Sequence, residues 1–125
     1  MSEPVHVINK QIVTNGNMAT IISEANGNSL PIDLDYFGIV SYSVQAVFTG
    51  TPTGIIELQG SNDSPVNIGS FPTNWTPISE SIVNITSAGT YVVNYDLPAY
   101  SWVQLVYTPS GGSGTLNARF NGKRR

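Results

Sequence analysis

The sequence predicts an all-β protein: an antiparallel two-sheet sandwich, jelly-roll or discoidin-like, with about eight strands. Three observations carry this expectation. Apolar and polar residues alternate with a period of two, most cleanly where Val40, Tyr42, Val44, Ala46 and Phe48 interleave with Ser41, Ser43, Gln45 and Thr49. Gly, Pro, Asn, Ser and Thr interrupt the chain too often for a long helix. Two matching passages, 47–54 and 106–114, each run from an alternating strand through Thr, Pro and Gly into a second alternating strand, which is how a hairpin reads.

In chain order, residues 5–13 and 19–23 are rich in β-branched side chains and are separated by the turn cluster Asn15-Gly16-Asn17, so they read as a hairpin or an arm. After a second turn at 25–29, Leu30, Ile32 and Leu34 alternate with Pro31, Asp33 and Asp35. The strand through Tyr42 to Phe48 follows, then one carrying Ile56 and Leu58, broken by Ser61-Asn62-Asp63-Ser64-Pro65. A polar connection leads to Asn74-Trp75-Thr76. Segments 81–86, 91–95, 101–107 and 115–120 supply four further strands. Phe48, Tyr91, Tyr95, Val103, Leu105 and Tyr107 lie on alternating positions and are expected to fill or edge the core. The resulting division is an N-terminal arm or hairpin over 1–35, able to insert in a neighbouring subunit, a sandwich over 36–122, and a basic tail over 123–125.

Composition narrows the function. At 125 residues the chain is the size of one domain. Only 10% of its residues are charged, against about 25% in an ordinary soluble domain. A surface that is polar but sparsely charged suits a packed assembly or an extracellular setting better than life as a cytosolic monomer. No Lys or Arg stands between Gln11 and Ala118, whereas Arg119, Lys123, Arg124 and Arg125 crowd the end. Lys123, Arg124 and Arg125 are therefore candidates for contact with an acidic neighbour, such as another copy of the chain. A net charge of −3 without a broad basic stripe argues against nucleic-acid binding. Cysteine is absent, which removes disulfides, thiolate catalysis and Cys-based zinc sites. No secretory signal and no apolar run long enough for a membrane helix is present, so synthesis in a cytoplasm without membrane insertion is expected.

Enzymatic readings fail on inventory, and no cofactor is expected. His6 is the sole histidine and lies near the N-terminus, where a Ser-His-Asp relay would need the arm folded back on a buried acid. Asp33 and Asp35 sit two apart, on one side of a strand, and are read as solvent-facing. Asn62 and Asp63, with Asp33 and Asp35, offer oxygen ligands of the kind calcium takes. Loop Asn and Asp more often bond their own backbone, and that is the reading adopted. Asn62, Asp63, Asn74 and Trp75 form the candidate ligand or partner contact. Trp75, among polar turn residues, would act as a stacking platform for a sugar ring, as a subunit anchor, or as a cap on the end of the sandwich.

Gly54-Ile55-Ile56-Glu57-Leu58-Gln59-Gly60-Ser61-Asn62-Asp63, then Asn74-Trp75-Thr76-Pro77-Ile78, then Tyr100-Ser101-Trp102-Val103-Gln104-Leu105-Val106-Tyr107-Thr108 resemble, in that order, a group of small bacteriophage and bacterial β-sandwich domains. The closing Gly114-Thr115-Leu116-Asn117-Ala118-Arg119-Phe120-Asn121-Gly122-Lys123 is similar to the ending of that pattern. The likeness runs from about Val44 to Arg125, with a longer insertion before Trp75 than the pattern shows. The resemblance implies a non-enzymatic virion structural protein (capsid-associated, decoration, fibre or tail component) that assembles in the host cytoplasm with copies of itself and other virion proteins. The alternative is a carbohydrate-binding or host-receptor-recognition module that holds a host glycan.

Overall fold

The computed structural model describes residues 6–17, 31–64, 70–96 and 98–124, giving the backbone alone for 6–17 and 124. In chain order the elements are β1 (His6–Asn17), β2 (Ile32–Asp33), one helical turn α1 (Leu34–Phe37), β3 (Ile39–Ser61), β4 (Thr76–Pro77), β5 (Val83–Ile85), β6 (Gly89–Asp96) and β7 (Trp102–Arg124). The frame is a ribbon of two strands, β3 and β7, each 23 residues long. They pair antiparallel from Ile39 opposite Arg124 to Ser61 opposite Trp102. The all-β, antiparallel class expected from the sequence is the class observed.

The two passages that read as hairpin turns are not turns between strands. Gly50, Thr51, Pro52 and Thr53 lie opposite Gly114, Ser113, Gly112 and Gly111, so both passages are mid-strand and pair with each other. A local hairpin would satisfy the backbone groups of a few residues, whereas the long ladder satisfies those of two whole strands. Glycine serves instead to bend the ribbon. Gly50 and Gly112 have φ of 83° and 78°, and a Cβ on Gly112 would lie 1.8 Å from the Thr51 carbonyl oxygen. The ladder also shifts register between Thr53 and Gly54.

The bend doubles the ribbon back on itself. Tyr42 and Gly60 belong to the same strand and would stand about 60 Å apart if it were straight, at ~3.3 Å per residue. Yet the Tyr100 ring rests on Gly60, where an added Cβ would meet its Cγ at 2.9 Å, and the Tyr100 hydroxyl hydrogen-bonds that of Tyr42. Nearer the bend, Phe48 meets Tyr107 at 5.2 Å between ring centroids. Inside the fold, Tyr42, Val44, Ala46, Phe48, Leu116 and Phe120 from one limb face Ile56, Leu58, Val103, Leu105 and Tyr107 from the other, all buried. Removing this much apolar surface from water is the main driving force for the doubled shape.

The seven strands among the described residues form one curled sheet. Its first limb, 39–49 with 115–124, is flanked by β1 on the β7 side and β6 on the β3 side. Its second limb, 54–61 with 102–109, has among the described residues only the short β2, β4 and β5 beside it. A register shift between Ile39 and Ser41 corrects the alternation expected there: Ile39 turns inward and Val40 is left 37% exposed. The core also draws on Ile32 and Leu34, which precede the boundary expected at residue 36. Lys123 and Arg124, read as tail, continue the β7 ladder opposite Val7 and His6. Asp33 does not share a strand face with Asp35; it caps α1, accepting the Tyr36 amide at 3.0 Å.

Candidate functional site

Where β3 leaves the second limb, its neighbour strand is interrupted, and side chains stand in for backbone. Gln59 and Gly60 pair with Pro77 and Thr76, while Gly54 to Ile56 pair with Ile85 to Val83. Leu58 falls between the two. Its carbonyl accepts the Ile78 amide at 2.8 Å, and its amide donates to the Ser81 hydroxyl at 3.0 Å. The Ser81 hydroxyl, fully buried, donates in turn to the Ile78 carbonyl at 2.6 Å. Between the Ile78 and Ser81 anchors the chain turns at Ser79 and Glu80, and Glu80 takes a left-handed φ of 63° there.

The opened end holds a groove of about 750 Å³. Its polar wall comes from Asn62, Asp63 and Asn74, three residues that the sequence singles out. The opposite wall comes from Tyr95, Tyr100, Ile78 and Ser79, with Gly60 beneath the Tyr100 ring. Each polar group is held in place. The Asp63 carboxylate accepts the amides of Thr73 and Asn74 at 3.0 and 2.9 Å, and the Asn74 side-chain amide at 3.2 Å. These donors, the Asn74 amide foremost, hold its pKa below the usual 3.8. Asn62 Oδ1 accepts the Ser101 amide at 2.9 Å, and the Ser61 hydroxyl accepts the Asp63 amide at 3.1 Å. Tyr95 donates to the Ser79 carbonyl at 3.2 Å. Burial raises the pKa of Tyr100, and burial followed by the Tyr100 hydroxyl raises that of Tyr42, so both phenols stay neutral through the physiological range.

Asp63 and Asn62 thus bond backbone amides, but those of Thr73, Asn74 and Ser101 rather than of their own turn as expected from the sequence. Trp75 stands apart from the groove. It is half-buried and its indole N–H donates to the Pro72 carbonyl at 3.0 Å, locking its own loop. Lys123 is separate again: with Asp96, Ser41, Ser43, Asn94 and Asn121 it borders a cleft of about 220 Å³. Only the backbone of Arg124 is described, and Arg125 lies outside the described residues, as does the His6 side chain. Tyr95, Tyr100, Gly60 and Ser79 have no local signal marking them as wall residues, because the doubling of the ribbon brings them together. Among the described residues no helix is long and apolar enough to cross a membrane.

No family model matches the chain, and no curated protein matches it. Its fold is similar to that of the SPBc2 prophage-derived protein YomS, with a TM-score of 0.64 at 7% identity over 98% of this chain and 97% of that one. It is also similar to the Tobacco streak virus coat protein, with a TM-score of 0.51 at 8% identity over 97% of this chain and 86% of the other. The likeness at these identities is one of fold, and the chain therefore has an antiparallel β-fold that a prophage-derived protein and a virus coat protein also have.

Proposed function

We propose that the chain is a non-enzymatic structural component of a virus particle, capsid-associated, decoration, fibre or tail, and that it acts by pairing with copies of itself or docking on other virion proteins in the host cytoplasm. The observation that carries this reading is the β6 edge. Among the described residues β6 is paired on one side only, to β3, over eight consecutive rungs without a register shift. It contains no Lys and no Pro, its single charge is Asp96, and Val92 on it is 53% exposed. A long, straight, nearly uncharged edge is what monomeric β proteins are built to avoid. The other edge of the limb, β1, has two register shifts and carries Lys10 in its sequence. The fold neighbours and the low overall charge support the same reading.

Light scattering on the purified protein at modest concentration tests it. A discrete trimer or higher species is expected, and Val92→Lys should shift it toward monomer by placing a charge on the edge. A monomer at every concentration would overturn the proposal. Strand exchange through β1 is the companion expectation: deleting residues 1–14 weakens association and leaves the rest folded, whereas loss of folding would make β1 an integral strand of its own subunit.

A further inference from the structure

The groove at the open end of the second limb plays no part in the assembly reading, and its chemistry is specific. Its volume, about 750 Å³, falls among small-molecule sites, which span roughly 300–1,000 Å³. Among the described residues no Lys or Arg lines it and Asp63 is its only charge, so phosphate, sulfate and carboxylate ligands are repelled. Hydroxyls from Thr76, Ser79, Tyr95 and Tyr100 stand beside the side-chain amides of Asn62 and Asn74. Pro77 and Ile78 add an apolar patch. Asn62 uses its Oδ1 on Ser101 and Asn74 uses its Nδ2 on Asp63. Asn62 Nδ2 and Asn74 Oδ1 therefore present one donor and one acceptor that make no hydrogen bond to the described residues. Their orientation is set by the bonds the other ends make. A donor, an acceptor, several hydroxyls and an aromatic-aliphatic wall, fixed before any ligand arrives, complement a molecule with many hydroxyls and one apolar face.

We infer that this groove binds a neutral sugar, one to a few pyranose rings, with Asn62 and Asn74 hydrogen-bonding its hydroxyls and the Tyr100, Pro77 and Ile78 wall against its C–H face. β6 supplies Tyr95 to the wall, whereas Val92, the residue that tests the edge, does not line the groove, so sugar binding and oligomer formation are scored by separate variants. Trp75 plays no stacking role in it.

The test is a titration of the isotopically labelled full chain, followed by amide nuclear magnetic resonance, with galactose, glucose, mannose, rhamnose, N-acetylglucosamine and N-acetylgalactosamine and the disaccharides of each. Trigalacturonate serves as the acidic probe. At least one neutral sugar should give saturable shifts confined to Asn62, Asn74, Thr76 and Ser79, with Kd on the order of 1 mM. Asn62→Ala and, as a milder change, Thr76→Val should each weaken that binding by about fivefold or more. Asn84→Ala, at the exposed position of β5, should leave it unchanged. Absence of any saturable shift up to about 50 mM of each neutral sugar, shifts unaffected by both groove variants, or tighter binding of trigalacturonate would each overturn the proposal.

Discussion

The two limbs of the ribbon are made from the same two strands, yet one is flanked by full-length neighbours and the other by fragments. In the first limb β6 follows β3 rung by rung from Ser41 to Phe48, and the product is a continuous ladder with a bare edge. In the second limb the neighbour breaks at Leu58, and Ser81, Asn62 and Asp63 supply bonds that a strand would otherwise make. The continuous ladder leaves a cleft of about 220 Å³, while the interrupted one leaves a groove of about 750 Å³ walled in part by polar side chains. Regular pairing leaves a bare edge, and broken pairing leaves a groove.

The sharpest way to break this comparison is to remove the joint between the limbs. Gly112→Ala places a methyl 1.8 Å from the Thr51 oxygen at a φ of 78°. The expected outcome is loss of the folded state, a cost above about 4 kcal/mol, read by urea denaturation. Gly111→Ala beside it meets only the Thr53 hydroxyl at 3.2 Å, and should cost no more than about 1 kcal/mol. Equal effects from the two would mean the bend does not depend on the left-handed residue.

A smaller effect separates the limbs. Ser81→Ala strands the buried Leu58 amide and should cost about 1–3 kcal/mol. Hydrogen exchange should quicken at Leu58, β4 and β5 and stay unchanged along β6. Uniform quickening would show that the limbs do not behave as separate units.

The smallest effect concerns Asp63. Its pKa is lowered in the folded chain, so its contribution is present above the ordinary value of 3.8 and is lost as pH falls through the depressed one. The amide resonances of Thr73 and Asn74 should titrate with a midpoint below 3.8 and stop titrating in Asp63→Asn. A midpoint at or above 3.8 would mean the loop is not held as described.

Much of the first limb was legible. The alternation from Tyr42 to Phe48 and the β-branched 91–95 segment mark strands because one face of each is buried, and burial imposes a period of two. The pairing was not legible. Gly50, Pro52, Gly111 and Gly112 carry the same chemistry whether a chain reverses or two strands bend together, and only the partner tells which. Val40 escaped for a similar reason, since a one-residue bulge leaves no mark in the hydrophobic pattern. At the site, Asn62, Asp63 and Asn74 were visible because turn residues announce themselves. Tyr100 and Tyr95 were not, because their place in the wall depends on strands that meet only after the ribbon folds over.

The register of β3 against β7 also governs the order of events as the protein forms. The pairing partners closest in sequence, Ser61 and Trp102, are separated by about 40 residues, and the most distant, Ile39 and Arg124, by more than twice that. Loop-closure entropy therefore favours pairing the second limb before the first, and non-local pairing of this kind is slow to form. On a ribosome adding about 5–20 residues per second, β1 and the first half of β3 wait for seconds until residues 115–124 emerge to fill the place between them. Nascent chains on neighbouring ribosomes share that interval, which is the window that the proposed exchange of β1 between copies would use.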